Sequence, residues 1–390
     1  MRDAAIGRKR KHRLEKTRLL HYSINRKEAA ANVAEKQMET KIMKMNPAAL
    51  EKELLAQAGA VIRAGGLVAF PTETVYGLGG NALDAEAAAK IYAAKGRPSD
   101  NPLIAHIAAE EELYRIAAEV PEAARKLMDA FWPGPLTMIF PKKEIVPDGT
   151  TGGLQTVAVR MPAHRTALAL IEAAGVPIAA PSANLSGRPS PTMAEHVMED
   201  LSGRIDLIID GGSCDIGLES TIVDMTGEVP MILRPGYITR EMLEEVVGTV
   251  ALDPTLTDNS SVSGKPKAPG MKYRHYAPKA AMTMVSGEEE DVSAAIIAMA
   301  EASRIDGRKV GIICTEESRE GYRFAGPVDV KVIGSRGEPA AIAHNLYRIL
   351  REFDDDGVDV IYSETFAADN LGQAIMNRLT KAAGHRMIHV

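Results

Sequence analysis

The stretch over residues 65–107 constrains the fold of this chain more than any other. It opens with a short apolar run at residues 67–70, which is typical of a buried strand. A Pro-Thr-Glu-Thr segment and a cluster of glycines follow, and then an Ala-rich helical pattern over residues 84–94 that glycine and proline bring to an end. The stretch closes with a second apolar segment at residues 103–107. This order predicts strand, polar turn, helix and strand.

Two cations leave the end of the predicted helix. Lys95 and Arg97 flank Gly96, where a ligand can approach the backbone closely. Arginine offers a planar fork to phosphate or carboxylate, and lysine offers a compact point charge. The pattern favours anion binding, but an ordinary Gly-Pro turn with solvated cations would have the same sequence.

Three later segments carry similar side chains. The strand predicted at residues 156–160 places Thr156 and Arg160 on one face, although a surface strand end would look the same. The loop after residue 180 is rich in small polar residues, which suits either a ligand or a plain connector. Arg234 stands between an apolar run and a Pro-Gly turn. Each signal is weak by itself.

Taken together and in order, these segments resemble a known family. FPTETVYGLGGNA, KGRPSDNPL, TVAVRMPAH, APSANLSGRPSPT, ESTIVD and LRPG occur in this order over about 170 residues. The set resembles the YrdC-type family of threonylcarbamoyl-AMP synthases. The later APGMKYRHYAP resembles the linker of the long, two-domain form of that family.

The resemblance implies an activity and its participants. It implies that L-threonine, bicarbonate or CO2, and ATP as a substrate with Mg2+ give threonylcarbamoyl-AMP and pyrophosphate. A tRNA threonylcarbamoyltransferase would use the product downstream to modify adenosine 37 of tRNA. Cytoplasmic localisation and, as an open alternative, a weak contact with tRNA go with this interpretation.

The resemblance also implies the site residues, with no protein ligand to a metal among them. Lys95 and Arg97 would be catalytic and would meet the phosphates, and Arg160 would bind the threonine carboxylate. The residues of the implied threonine site are Thr74, His106, Arg160, Ala180 and Ser220. The residues of the implied ATP site are Lys95, Arg97, Asn101, Thr156, Ser182, Ser190, Arg234 and, from the linker, Tyr273.

The predicted fold class is α/β. A YrdC-like domain with a twisted mixed sheet and flanking helices is expected at residues 46–250, with a helix that begins at Asn46 and Pro47. A linker with a lid motif is expected at residues 251–279. Strands and helices alternate over residues 280–390, which predicts a smaller, Rossmann-like parallel α/β domain.

Charge is distributed unevenly along the chain. Residues 1–44 carry 13 Lys plus Arg against 5 Asp plus Glu, a net charge of +8. Because the whole chain has a net charge of −6, residues 45–390 carry a net charge of −14. We expect residues 1–39 to be a basic extension that is disordered or non-native, although an RNA-contacting tail is an alternative. The acidic remainder disfavours general nucleic-acid binding. Any anion site must therefore concentrate cations locally.

Several functional classes lack their signatures. The two cysteines are too few for a disulfide framework, which fits a reducing cytosol, and no apolar run is long enough to span a membrane. There is no P-loop, no HExxH and no GxSxG. Gly77 begins a loose GxGxxA, but the acidic partner of a dinucleotide site is not in place. The alternatives to the synthase are a non-catalytic RNA-binding module and carbamoyl-adenylate chemistry on another acceptor.

Overall fold

The computed structural model describes residues 38–256, 265–271, 275–324 and 326–390. Residues 40–390 form one compact unit that contains two β-sheets. In the described part of the chain, no helix is long and apolar enough to cross a membrane. The basic extension predicted at residues 1–39 lies almost wholly outside the described residues.

The larger sheet is mixed, as predicted. Its strands are β1 (Lys41–Lys44), β2 (Val68–Phe70), β3 (Gly77–Asn81), β4 (Ile104–His106), β5 (Leu136–Pro141), β6 (Thr156–Arg160), β7 (Ile178–Ala179), β8 (Leu207–Asp210), β9 (Thr221–Asp224), β10 (Met231–Arg234) and β11 (Ala251–Leu252). Their order across the sheet is β1-β8-β2-β3-β7-β4-β6-β5-β9-β10-β11. Strands β2, β3, β7 and β4 run alternately antiparallel, whereas β4 and β6 are parallel.

The helices connected to this sheet are mostly amphipathic. They are α1 (Lys52–Arg63), α2 (Ala85–Lys95), α3 (Glu110–Ile116), α4 (Glu122–Phe131), α5 (Asp148–Thr151), α6 (Arg165–Ala174), α7 (Ala194–Leu201) and α8 (Arg240–Val247). The Asp84 side chain caps α2 by accepting from the backbone N–H of Glu86, and Gly96 ends it in the left-handed conformation. This C-cap turns the chain so that Arg97 leaves the helix axis.

The smaller sheet is parallel throughout the described residues. Its strands are β12 (Ala281–Ser286), β13 (Val310–Cys314), β14 (Asp329–Val332), β15 (Val360–Glu364) and β16 (Met387–His389), in the order β14-β13-β15-β12-β16. Its helices are α9 (Glu289–Ile305), α10 (Pro339–Asp356) and α11 (Leu371–Ala382). The prediction of a second, parallel α/β domain is confirmed.

The apolar core of the smaller sheet extends to the larger one. Val75, Leu218 and Tyr276 pack in the same buried cluster as residues of α10 and α11. The two sheets are therefore joined by packed side chains as well as by the chain between them. The domain boundaries expected from the sequence stay a prediction.

The start of helix α1 and the location of the glycine-rich GxGxxA segment can be compared with the sequence predictions. The first helix begins at Lys52 rather than at Pro47. Asn46 instead accepts from the backbone N–H of Ala48 at 2.9 Å, because a short side-chain amide competes for nearby backbone donors and favours a turn. The loose GxGxxA lies in strand β3 and not at a strand–helix turn, which agrees with the exclusion of a dinucleotide site.

Candidate active site

Residues from distant parts of the sequence meet in one cleft of the larger sheet. The cleft encloses about 610 Å3 of empty space, its open mouth included. Predicted residues that line it are Thr74, Arg97, His106, Arg160, Ala180, Ser182, Ser220 and Arg234. Lining residues that the sequence did not predict include Thr72, Asn184, Glu219, Gly270, His275 and Tyr276.

Sheet register brings the threonine-site candidates together. His106 and Arg160 are directly paired on the parallel strands β4 and β6. The backbone of Ala180 donates to the carbonyl oxygen of Ile104 at 2.8 Å, which places the start of the polar loop beside β4. The strands therefore carry these side chains into the cleft as parts of a rigid sheet.

Arg160 is buried and firmly held. It is only 4 % exposed, its Nη1 donates to Thr74 Oγ1 at 2.9 Å, and its Nε donates to the carbonyl of Gly134 at 3.2 Å. Its Nη2 lies 2.6 Å from Glu73 Oε1. Burial is the largest single effect and raises the pKa of Glu73, but the Arg160 charge and hydrogen bonds from Arg160 and the backbone together bring the pKa below its ordinary value. The Glu73 carboxylate is therefore ionised at neutral pH.

The Pro-Thr-Glu-Thr segment is ordered by its own hydroxyls. Thr72 Oγ1 lies 2.9 Å from Thr74 Oγ1 and donates to the carbonyl of Val75 at 2.7 Å. It also accepts from the backbone N–H groups of Thr74 and Val75 at 3.2 Å each. This network fixes the Thr74 hydroxyl where it meets Arg160.

His106 is a neutral imidazole in this site. Its Nδ1 lies 3.1 Å from the carbonyl oxygen of Ile104, and its ring meets Phe70 edge-on. Burial and the nearby charge of Arg160 lower the pKa of His106 to about 3. The residue therefore adds hydrogen-bonding capacity to the cleft without adding charge.

Ser220 and Arg234 form the opposite wall. Ser220 Oγ lies 2.7 Å from Thr137 Oγ1, and Arg234 Nη2 donates to Ser220 Oγ at 3.1 Å. Arg234 also donates from Nε and Nη2 to the carbonyl oxygen of Ser220 at 3.0 and 2.9 Å. The charge of Arg234 is thereby held beside the hydroxyl of Ser220.

Arg97 reaches the cleft from the turn after α2. Its Nη2 donates to the carbonyl oxygens of Asn101 and Pro102 at 3.3 and 3.1 Å. Its Nε is buried with no partner among the described residues. Burial lowers the pKa of Arg97 to about 10, which leaves the guanidinium charged at neutral pH. An unpartnered donor at the edge of a cleft suits an incoming anion.

Lys95 is placed differently from its predicted partner Arg97. It is 2 % exposed, and its ammonium donates to the carbonyl oxygens of Ser182 and Asn184. It fixes the polar loop from beneath and is not among the residues that line the cleft. Burial, followed by the charge of Arg97, lowers the pKa of Lys95 well below its ordinary value. A direct contact between Lys95 and phosphate stays a prediction.

The remaining predicted ATP residues lie around the cleft or outside the described residues. Asn101 is 1 % exposed, and its carbonyl oxygen accepts from Tyr92 at 3.0 Å and from Arg97. Thr156 lies at the start of β6, opposite Pro141 of β5. Ser190 is fully buried and donates to Glu219. Tyr273 lies outside the described residues.

Sequence reasoning missed Glu219. It directly precedes Ser220 in the ESTIVD segment, so the position was within a motif that had been singled out. The carboxylate lines the cleft, but its partners come from residues far along the chain, which no local pattern shows. His275, left out of the predicted catalytic set, also lines the cleft, and burial lowers its pKa to about 3.

No protein cage for a metal ion exists in the described residues. None of their His, Cys, Asp and Glu side chains form a group of three that could hold one.

Comparisons with known proteins give the class. Residues 60–236 match a family model named Sua5_yciO_yrdC and described as telomere recombination. Residues 238–384 match the C-terminal domain of threonylcarbamoyl-AMP synthase. The fold and the cleft therefore define a two-part α/β protein of the Sua5 and YrdC class.

Individual relatives are similar over most of the chain. A threonylcarbamoyl-AMP synthase of Pyrococcus abyssi (strain GE5 / Orsay) is 50% identical over 342 residues, covering 87% of this chain and 97% of the relative. One of Bacillus subtilis (strain 168) is 50% identical over 335 residues, covering 86% and 94%. The crystal structure of P. abyssi Sua5 complexed with L-threonine has a TM-score of 0.84, with 49% identity over 90% of this chain and 100% of that chain. The chain belongs to the threonylcarbamoyl-AMP synthase family.

Proposed function

We propose that this chain synthesises L-threonylcarbamoyl-AMP from L-threonine, bicarbonate or CO2, and Mg2+-ATP, with release of pyrophosphate. The observation that carries the proposal is the meeting of Arg97, Arg160 and Arg234 in one cleft with the hydroxyls of Thr74 and Ser220. The names of the relatives and the threonine complex of the P. abyssi structure support it.

The chemistry begins with threonine. Its amine, as the free base, adds to CO2 and loses a proton, which gives a carbamate. A carbamate oxygen then attacks the α-phosphorus of ATP, a new P–O bond forms, and the bond to the pyrophosphate leaving group breaks. Neither step requires a covalent intermediate on the protein.

The main physical obstacle is repulsion between anions. A carboxylate, a carbamate and a triphosphate must come together, and two unit charges ~4 Å apart repel by about 4 kcal/mol at an effective dielectric near 20. The guanidinium groups of the cleft are already held in position, so they can offset this repulsion without a rearrangement of the protein. Positioning of the two reactants supplies much of the remaining rate enhancement.

The roles of individual residues follow the two ends of the cleft. Arg160 binds the threonine carboxylate, with Thr74, His106, Ala180 and Ser220 around the amino acid. Arg97 meets the phosphates. The other residues assigned to ATP are Lys95, Asn101, Thr156, Ser182, Ser190, Arg234 and Tyr273. Mg2+ enters as part of the nucleotide substrate.

The biological context is part of the proposal. The product would pass to a tRNA threonylcarbamoyltransferase, so the reaction is the first step in modification of tRNA position 37, and it would occur in the cytoplasm. The relatives are named as synthases, which gives no support to a non-catalytic RNA-binding module.

The deciding experiment measures pyrophosphate release from Mg2+-ATP and bicarbonate, with and without threonine. We expect release only with threonine, and we expect Arg97→Ala to abolish it with the fold intact, because the phosphates lose their cation. Arg115→Ala, at an exposed position in the last turn of α3, is the matched control and should keep full turnover. Threonine-independent release would contradict the proposal, and full activity of Arg97→Ala would remove Arg97 from the site.

A further inference from the structure

Helices of the smaller sheet place polar side chains directly against the cleft. Tyr347 of α10 and Arg378 of α11 are both fully buried, although each carries a polar end. Lys381 of α11 donates to the carbonyl oxygen of Gly270, a residue that lines the cleft, at 2.9 Å. Buried polar groups of this size are expensive unless they are paired, so their partners indicate what they do.

The common partner of Tyr347 and Arg378 is Glu219. The Tyr347 hydroxyl lies 3.0 Å from Oε1 and 2.9 Å from Oε2 of Glu219, and Arg378 Nε donates to Oε2 at 3.0 Å. Burial is the largest single effect and raises the pKa of Glu219, but the charges of Arg378 and Arg234, with hydrogen bonds from Ser190 and the backbone, together lower it to about 2. The carboxylate is therefore ionised, and it is held by one residue from each of the helices α10 and α11.

Glu219 in turn contacts or adjoins residues predicted to bind the substrates. Its Oε1 accepts from Ser190 Oγ at 2.6 Å, and Ser190 is a predicted ATP residue. The next residue, Ser220, is a predicted threonine residue that contacts Arg234. A change in the position of Glu219 would therefore move groups on both sides of the reaction.

Arg378 also binds the backbone directly after strand β10, the strand that ends at Arg234. Its Nη1 donates to the carbonyl oxygen of Pro235 at 2.6 Å, directly after Arg234. One guanidinium thus bridges the segments that carry Ser220 and Arg234. A planar fork with several donors suits this bridge, whereas a single ammonium could not reach both acceptors with the same geometry.

Packing supports the same connection. The rings of Tyr347 and Tyr276 lie 5.3 Å apart, and the Arg378 guanidinium lies over the Tyr276 ring at 5.9 Å. Tyr276 itself lines the cleft. Tyr347 and Arg378 therefore each contact both Glu219 and the ring of Tyr276.

We propose that Tyr347 and Arg378 are positioning residues for the synthase reaction, holding Glu219 so that Ser190, Ser220 and Arg234 are placed for ATP and threonine. Through these two residues, helices α10 and α11 form part of the support of the active site. The inference rests on the proposed function, because it assigns a task within that reaction.

The proposal predicts a pH signature. The charged and titratable groups that face Glu219 are Arg378, Lys381, Tyr347, Arg234, His275 and Tyr276. Without the Arg378 charge, burial of Glu219 is less well opposed, so the pKa of Glu219 should rise and the acid limb of kcat/KM should move to higher pH. Adding Glu219→Gln to Arg378→Gln should remove this shift, because glutamine does not titrate.

The test compares full-length variants in the pyrophosphate assay. Arg378→Gln should lower kcat/KM for ATP and threonine by about 10- to 100-fold, which is the usual effect of losing a hydrogen bond to a charged group. Arg378→Lys should recover part of this loss through its charge. Tyr347→Phe keeps the ring against Tyr276 and removes only the hydroxyl, so it tests the same contact if Arg378→Gln fails to fold.

Arg348→Gln is the matched control on α10. Its guanidinium pairs with Glu352 and Asn345 and not with the cleft, so its kcat/KM and pH profile should equal those of the wild type. Wild-type kcat/KM and acid limb in folded Arg378→Gln and in Tyr347→Phe would overturn the inference, even if their stability falls. Failure of the wild-type chain to release pyrophosphate with threonine would instead overturn the proposed function and the inference with it.

Discussion

Each arginine of the cleft is oriented by contacts within the protein. Arg160 is held by Glu73, Thr74 and the carbonyl of Gly134. Arg234 is fixed on the backbone and hydroxyl of Ser220. Donors that are already aimed at a ligand lose little entropy on binding, which favours a reaction that depends on positioning and charge.

At the same scale, the His106 side chain should stay neutral over the physiological range. Because burial and Arg160 lower the pKa of His106 to about 3, we expect its side-chain NMR signals to be constant between about pH 5 and 8. Loss of the signals in His106→Gln would assign them. A titration midpoint near the ordinary histidine value of about 6.5 would contradict this expectation and show that burial and Arg160 do not suppress protonation of the imidazole.

The loop between β7 and α7 is the element on which the ATP end of the cleft depends. Lys95 fixes it from one side, and Asn184 closes it internally by donating to the carbonyl oxygens of Leu185 and Arg188. Asp200 of α7 accepts from the backbone N–H of Leu185 at 3.0 Å and from Arg351 of α10 at 2.8 Å. Irregular backbone can form a precise site when so many polar contacts fix it.

Asp200→Asn should therefore weaken both the loop and the fold. The Asp200 side chain is completely buried and pairs with Arg188 and Arg351. Neutralising it leaves the partly exposed Glu199, 3.4 Å away, as the remaining carboxylate beside the buried Arg351 among the described residues. Removing one member of a buried ion pair typically costs about 3–5 kcal/mol. We expect a loss of this size in the free energy of unfolding measured with urea, together with a higher KM for ATP.

The neighbouring Glu199→Gln is the control for that change. The Glu199 side chain is 37% exposed and contacts the same two arginines, Arg188 at 2.8 Å and Arg351 at 3.4 Å. An exposed pair contributes only about 0–1 kcal/mol. Equal losses in the two variants would show that burial of Asp200 is not what makes the contact important.

On the scale of the whole molecule, the protein collects positive charge in one place against an acidic background. The chain after residue 44 carries a net −14, yet three arginines line the cleft. Glu73 and Glu219 neutralise part of this charge at the cleft wall. The balance allows the cations to be buried while the cleft keeps a positive excess for its substrates.

Because the described residues that line the cleft lie between Thr72 and Tyr276, we expect the basic extension to be dispensable for chemistry. We expect a chain that lacks residues 1–37 to keep its kcat and its KM for ATP and threonine. Steady-state pyrophosphate release by the full-length and shortened chains checks this. A loss of about tenfold or more in kcat/KM, or about 1.4 kcal/mol, would show that the extension takes part in the reaction.

Much of the fold could be predicted from local patterns. The alternation of strands and helices predicted the parallel sheet after residue 280, and the glycine at position 96 correctly marked the end of α2. The start of α1 was wrong because Asn46 and Pro47 also fit a turn, which is what they form. Strand β16 was missed because it has three residues, which is too short a run for a periodic pattern to show.

For the site, the motifs were enough to identify the candidate side chains, because their types and order resembled one family. The long-range packing of the chain is what brings Arg97, Arg160 and Arg234 into one cleft and places Lys95 against the polar loop. The same packing brings Tyr347 and Arg378 to Glu219. The physical reason is that local patterns report on neighbours along the chain, whereas hydrogen bonds and ion pairs between residues more than 100 positions apart arise only once packing has brought them together.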